Sequence, residues 1–228
     1  MEVTYFRERR SGPEALIEDA VAKQIPGLFP SQNYSLWTAG SPSIGAGMPD
    51  LVIVSSQPQI LVLAQFELST AHILAYLRAV GCASLKKISD RIGMPQETII
   101  RCLNGLVQVE VVSRGQNTYS LSPIWRDILP EIVTIEVKVT KWKRAVEQAK
   151  RNRVFAHRSF VAFPDYVAER VQSEPIFGEL GIGLLSVGSG HTVSVLRNSR
   201  RHKPLIWTYY YQIASLVARH QGNRNNAV

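Results

Sequence analysis

Asp50 and the tripeptide Glu136-Val137-Lys138 are the residues of this chain best equipped for chemistry. Asp50 sits at the head of a β-branched run, Pro49-Asp50-Leu51-Val52-Ile53-Val54. Glu136 and Lys138 lie in a second run, Ile132-Val133-Thr134-Ile135-Glu136-Val137-Lys138-Val139. Two carboxylates on two strands, with an ammonium two residues past the second, can hold a divalent cation and polarise a water. That is the equipment for hydrolysing a phosphodiester. Side chains alternate along a strand, so Ile135, Val137 and Val139 are expected on one face and Glu136, Lys138 and Thr140 on the other. Val137 can then offer its backbone carbonyl. Asp50, Glu136 and the Val137 carbonyl would bind Mg²⁺, with Mn²⁺ as a substitute, since magnesium takes oxygen ligands and keeps several waters. Lys138 would orient the attacking water or offset negative charge.

A sheet must bring these runs together. Ser11-Gly12-Pro13-Glu14 predicts a helix start, with Pro13 in the first turn and Glu14 matched to the helix dipole. Leu16, Ile17, Ala20, Val21 and Ile25 give that helix its apolar stripe, and Pro26-Gly27 is expected to stop it. Tyr34–Thr38 predicts a short strand, Gly40–Gly47 a Gly/Ser/Pro loop able to approach a bulky ligand, and Ile60–Phe66 a further strand after a turn at Ser55–Gln59. Beyond the Glu136 strand, Lys141–Arg153 predicts a helix with Trp142, Ala145, Val146 and Ala149 on its apolar side. Lys141, Arg144, Gln148 and Arg151 form a second stripe on it. Strands are expected at Ser159–Phe163, Ile182–Val187 and Val193–Leu196. Pro164-Asp165 is expected to be a turn. A last helix spans Leu205–Arg219, and Gln221–Val228 is expected to be a disordered tail. This is an α/β layout, a sheet flanked by helices.

Asp50 and Glu136 are 86 positions apart, far more than a hairpin needs. The intervening sequence explains the gap. Ala71–Val80 is helical, with Ile73, Leu74 and Leu77 inward. Ser84 caps a second helix containing Leu85, Ile88 and Ile92. Gly93-Met94 turns, and Pro95 starts a third helix with Ile99, Leu103 and Leu106 at i, i+4 and i+7. Val109–Val112 and Tyr119–Leu121 flank a turn at Arg114–Asn117. Three helices followed by a hairpin resemble a winged helix-turn-helix. Glu110 departs from that pattern, standing near where many members have glycine. The resemblance implies that Gln96, Thr98, Arg101 and Asn104 of the third helix face DNA. It also places Arg114 at the wing tip and Lys86 and Lys87 at the start of the second helix. Whether this module meets DNA or protein is open from the sequence.

With residues 68–128 set aside, the chain resembles the PD-(D/E)xK nuclease superfamily. Residues 11 to about 165 carry the likeness. It implies a restriction-endonuclease-like core, a mixed central sheet flanked by helices, built from residues 1–67 and 129–228. It further implies a DNA endonuclease acting in defence or repair. Gln148, ten residues past Lys138, matches a glutamine that often follows the family's lysine. Glu14 matches an acid often supplied by the first helix, with Glu18 as rival. A catalytically silent DNA-binding scaffold and a winged-helix transcriptional regulator are the competing readings.

The charge points to the same class of partner. The chain has 228 residues and a net charge of +8. Residues 1–66 hold four Lys/Arg against six Asp/Glu, whereas residues 138–170 hold nine against three. From Leu180 onward there are six Lys/Arg and no acid. A basic second half suggests an anionic polymer, DNA, met through Lys141, Lys143, Arg144 and Arg151, and through Arg197, Arg200, Arg201 and Lys203. Cys82 and Cys102 have no zinc spacing, fall in helical patterns and are expected to be reduced, buried small hydrophobes. The first residues run into Arg7-Glu8-Arg9-Arg10 with no signal peptide, and no apolar stretch approaches a membrane span. A cytoplasmic protein is expected, with a two-fold homodimer as the default for an enzyme that cuts two strands.

Overall fold

The β-branched runs become the middle of a sheet. A computed structural model describes residues 3–8, 11–31, 33–44 and 47–225. Gly45 and Ala46 of the expected loop, and residues 226–228 of the expected tail, lie outside the described residues. In chain order the elements begin with β1 (Thr4–Tyr5), α1 (Pro13–Leu28), β2 (Ser35–Gly40) and β3 (Leu51–Ser56). After a 3-10 helix at Pro58–Gln65 come α2 (Thr70–Val80), β4 (Cys82–Ala83), α3 (Leu85–Ile92), α4 (Gln96–Gln108), β5 (Val112–Arg114) and β6 (Tyr119–Leu121). A second 3-10 turn, Pro123–Asp127, leads to β7 (Glu131–Val137), α5 (Trp142–Asn152), β8 (Arg158–Pro164), α6 (Asp165–Val171) and α7 (Pro175–Leu180). β9 (Gly183–Val187), β10 (Val193–Arg197) and α8 (Trp207–Asn225) complete the chain.

Two compact units result. The first joins residues up to Ser55 with Glu131–Leu205. Its seven strands run in the order β1-β2-β3-β7-β8-β9-β10. β7, β8 and β9 are parallel, while β3 pairs antiparallel with β7 and β10 with β9, so the sheet is mixed. Alternation sorts the side chains onto two faces. Leu51, Ile53, Val133, Ile135, Val137, Phe160, Ala162, Leu185 and Val187 pack with Ile17, Ala20, Val21 and Ile25 of α1. Val161, Phe163 and Leu184 pack on the other face with α5, α6 and α7.

Several local expectations are corrected. Pro26 does not stop α1, which continues to Leu28 because Ile25 is locked in the core and its carbonyl accepts the Phe29 N–H at 2.8 Å. Leu16 is 58% exposed, outside the stripe assigned to it. Pro164 ends β8 as expected, but Asp165 opens α6, its carboxylate accepting the Tyr166 N–H at 2.7 Å. α8 reaches Asn225, into the stretch expected to be disordered. Cys82, expected to be buried in a helix, is exposed on β4 because Gly81 ends α2 before it, while Cys102 is half-buried on α4.

The second unit joins Ser56–Pro130 with the segment from Ile206 onward. Ile60–Phe66 is not a strand. Pro58 starts a 3-10 helix there, and Ile60 and Leu63 are buried. Three helices, α2 to α4, accompany a three-stranded antiparallel sheet in the order β4-β6-β5. Ser84 Oγ caps α3 by accepting the Lys87 N–H at 3.4 Å, and Gly93 ends it in the left-handed region at φ 69°. Glu110 has φ 59°, the backbone that glycine adopts without penalty. Its carbonyl is fixed there by the Ser122 hydroxyl at 2.8 Å.

The division differs from the expected one in grouping α8 with the insert. The cause is its aromatic start. Tyr211 donates to the Trp125 carbonyl at 2.9 Å, Tyr210 Oη accepts the Leu129 N–H at 2.8 Å, and the Arg78 guanidinium lies 3.7 Å from the Trp207 ring centre. No helix among the described residues is long and apolar enough to cross a membrane.

This grouping makes a prediction about where the chain can be cut. Ser55 and Glu131 are direct partners in the β3–β7 ladder. An Asn-Gly turn joining Ser55 to Glu131, with the chain ended at Leu205, should therefore close a hairpin and leave a unit that unfolds cooperatively. Deleting residues 69–126 alone should instead strip Tyr210 and Tyr211 of their cover and give an aggregating protein. Size-exclusion chromatography and thermal melts compare the two; equal behaviour would refute the division.

Candidate functional site

The β3–β7 pairing puts the distant acids side by side. Leu51 is opposite Ile135, so Asp50, one residue before β3, arrives beside Glu136 and Val137. Asp50 Oδ2 accepts the Val137 N–H at 2.7 Å and Lys138 Nζ at 3.1 Å. Lys138 Nζ also donates to the Val137 carbonyl at 2.6 Å and lies 3.8 Å from Glu14 Oε2. The ammonium thus rests on two of the three oxygens expected to hold a metal.

β7 ends at Val137, and there Glu136 and Lys138 diverge. Glu136 is 1% exposed and turns toward α5. Its Oε1 accepts Asn152 Nδ2 at 2.7 Å, while its Oε2 is buried with no hydrogen-bond donor. Gln148 Oε1, on the same helix, is likewise buried and unbonded. Both residues line a cavity of about 260 Å³ with Gly47, Met48, Arg151 and Asn152. Burial pushes the Glu136 carboxyl up to about 8. The Asp50 charge adds to the rise, while the Asn152 bond, Lys138 and Arg151 oppose it.

A second cavity, of about 400 Å³, opens beside the first; Met48 lines both. Its walls include Arg7, Glu8, Glu14, Glu18, Asp50 and Val137. Glu14, near the N-terminus of α1, is the acid that reaches Lys138, and Glu18 lines the same space one turn on.

The donor set suits a small hard cation. Among the described residues no group of three or more His, Cys, Asp or Glu side chains is placed to hold a metal. Magnesium is commonly bound by one or two carboxylates and completes its shell with water. Asp50, Glu136 and the Val137 carbonyl are oxygen donors of that kind, and Glu136 Oε2 and Gln148 Oε1 have no hydrogen-bond partner that a cation would have to displace, although Glu136 must first lose its proton. The fit requires Lys138 to yield its place on Asp50 and Val137.

Asn152 and Met48 belong to this site and carry no motif. Asn152 had one signal: it continues the Ala145–Ala149 stripe as a polar residue, and a buried polar residue needs a partner. Of the basic residues, Arg151 lines the Glu136 cavity, whereas Lys141, Lys143 and Arg144 are exposed. Arg197 and Arg200 donate to the carbonyls of Gln172 and Gly178, and Arg201 pairs with Glu131 at 3.7 Å, so these three are engaged within the fold. Gln96, Thr98, Arg101 and Arg114 belong to the second unit. Gln96 and Arg101 are exposed on α4, Thr98 is half-buried, and Arg114 is exposed at the end of β5, its guanidinium 5.8 Å from the Tyr119 ring centre. No family model, no curated protein and no solved structure matches this chain.

Proposed function

We propose that this protein is a Mg²⁺-dependent deoxyribonuclease of the PD-(D/E)xK type that hydrolyses phosphodiester bonds. One observation carries the reading. The β3–β7 pairing brings Asp50 beside Glu136, 86 positions on from it, and beside Lys138, and Glu136 Oε2 and Gln148 Oε1 are left buried and unbonded. Asp50, Glu136 and the Val137 carbonyl would hold the metal, which supplies a more acidic bound water and an electrostatic clamp on the phosphate. Asn152 orients Glu136, and Gln148 would position the metal's water shell. Lys138, released from Asp50, is placed to steer the attacking water. Glu14 draws the lysine toward α1 and keeps it within reach.

Incubation with supercoiled, linear and branched DNA, with and without Mg²⁺ or Mn²⁺, tests the proposal. Metal-dependent cleavage of at least one form is expected. DNA binding without cleavage under either metal would leave the second reading, a silent nuclease-fold scaffold or a winged-helix regulator. That reading draws on Lys138 Nζ, which already neutralises Asp50 at 3.1 Å.

The helices and small sheet of the second unit support its assignment as a winged helix-turn-helix inserted after β3. Glu110, in the glycine-favoured backbone region, supports it further. Its role is separable from that of the basic helix α5. Phosphate contacts set affinity and its salt dependence, and base contacts set sequence preference. Changing Arg144 and Arg151 together to Ala should weaken binding about equally on all duplexes and flatten the salt dependence. Arg101→Ala should instead cost about 1–3 kcal/mol of discrimination if it forks onto a guanine. Binding to a panel of duplexes at several salt concentrations measures both. An Arg101→Ala protein with unchanged affinity and preference would assign the module to protein contacts.

A further inference from the structure

The three parallel strands β7, β8 and β9 end on the same edge of the sheet, and a third cavity opens there. It measures about 410 Å³ and lies between α1, Val139, the start of α6 and the β9–β10 turn. Pro13, Leu16, Ile17, Val139, Pro164 and Val187 make its walls apolar. Tyr166, 59% exposed, and Leu16, 58% exposed, stand at it. Together they leave an apolar hollow, edged by an aromatic ring, open to solvent. The crevice beyond the carboxyl ends of parallel strands is also where open α/β sheets place ligands. Asp165, Ser189 and His191 add the few polar groups that such a pocket uses to orient a ligand.

Its position names the occupant. Pro13 is the neighbour of Glu14, and Val139 is the neighbour of Lys138, so two walls of the pocket continue directly into the acid–lysine cluster. Past Val139 the chain presents Lys141, Lys143 and Arg144 to solvent, a run suited to phosphates. A ligand spanning these features is anionic where it meets Lys141, Lys143 and Arg144 and apolar where it enters the pocket, with the exposed Tyr166 ring there to stack on. Given the deoxyribonuclease reading above, we propose that this cavity receives an unpaired nucleobase of the substrate strand, stacked on Tyr166, next to the phosphate that would be cut at the Asp50–Glu136 site. A base inside a continuous duplex is already paired and stacked. The preferred substrate therefore has a single-stranded end, flap or branch adjoining the cut.

The test measures binding with Ca²⁺ in place of Mg²⁺, so that it does not depend on cleavage. A blunt duplex is compared with the same duplex carrying a short single-stranded extension, and with one whose extension is abasic. Wild type should prefer the base-bearing extension, and Tyr166→Ala should lose about five- to hundredfold of that preference, the range for one stacked base. Tyr166→Phe should keep it, and the abasic extension should lower wild type to the Tyr166→Ala level without lowering Tyr166→Ala further. Leu16→Ala, at a second exposed position, should give a smaller loss in the same direction. Equal wild-type binding to abasic and base-bearing extensions, or an unchanged preference in Tyr166→Ala, would overturn the pocket while leaving the nuclease reading intact. Failure to bind any of the three DNAs would overturn both. Base preference in Ca²⁺ with no cleavage in Mg²⁺ would retain the pocket and remove the catalytic reading.

Discussion

Asp50→Asn and Lys138→Ala should each lower metal-dependent cleavage on the order of a thousandfold or more, about 4 kcal/mol of transition-state stabilisation, while their metal affinities move in opposite directions. Asn at position 50 keeps an oxygen to accept the Val137 N–H, so the β3–β7 ladder stays in register. It removes the charge that a divalent cation needs, and Mg²⁺ or Mn²⁺ binding should weaken. Removing the Lys138 ammonium takes away the competing cation from Asp50 Oδ2 and the Val137 carbonyl, which it now meets at 3.1 and 2.6 Å, while Oδ2 keeps the Val137 N–H. Metal binding should then hold or tighten, while cleavage fails for want of the group that steers the water. DNA binding should stay close to wild type in both, because the phosphate contacts proposed above lie on the exposed Lys141, Lys143 and Arg144. Calorimetric metal titration and a plasmid nicking assay on the same preparations read the two effects. Wild-type cleavage in both variants would dissolve the site.

The divergence of Glu136 from Lys138 marks where sequence legibility ends. Strict alternation in Ile132–Val139 places both on one face. The ladder ends at Val137, and beyond it the lysine follows Asp50 and Glu14 instead of the pleat. That Asp50 and Glu136 lie on two strands was legible from their β-branched runs, whereas the register that sets them side by side comes from the β3–β7 pairing. The same sort of apolar run misleads at Ile60–Phe66, where no period of two separates a strand from a 3-10 helix and Pro58 decides the matter. α6 and α7 carry too few residues for a periodic signal, and β1 has only two. The grouping of α8 depends on Tyr210 and Tyr211 finding Leu129 and Trp125 more than eighty positions away, a choice that no local pattern encodes. Asn152 is the instructive case within the site. A single amide in an apolar stripe reports that something polar lies buried opposite it, but not that the partner is Glu136.

Glu136→Gln should stabilise the first unit above neutral pH, on the order of 4 kcal/mol, and abolish stabilisation by Mg²⁺. The sign follows from the carboxyl's pKa, raised from its ordinary 4.5 to about 8 chiefly by burial. Below 4.5 the folded and unfolded chains both hold the proton, the carboxyl costs nothing, and wild type and variant should match. Between 4.5 and 8 the unfolded chain ionises while the folded one keeps its proton, so wild-type stability falls steadily. Above 8 the folded protein also ionises, the slope ends and the full penalty remains. Gln retains an oxygen for Asn152 Nδ2 and never carries the charge, so its advantage opens across that window and then levels off. A metal bound at Glu136 must displace the same proton, so wild type should gain more from Mg²⁺ above pH 8 than below it, and Glu136→Gln should gain nothing. Hydrogen exchange of the β7 amides against pH, with and without Mg²⁺, follows the first unit alone. A variant that exchanges faster than wild type above pH 8 would mean that the buried carboxylate is compensated by partners stronger than Asn152, Lys138 and Arg151. The case for Glu136 as a group waiting for a cation would then fall.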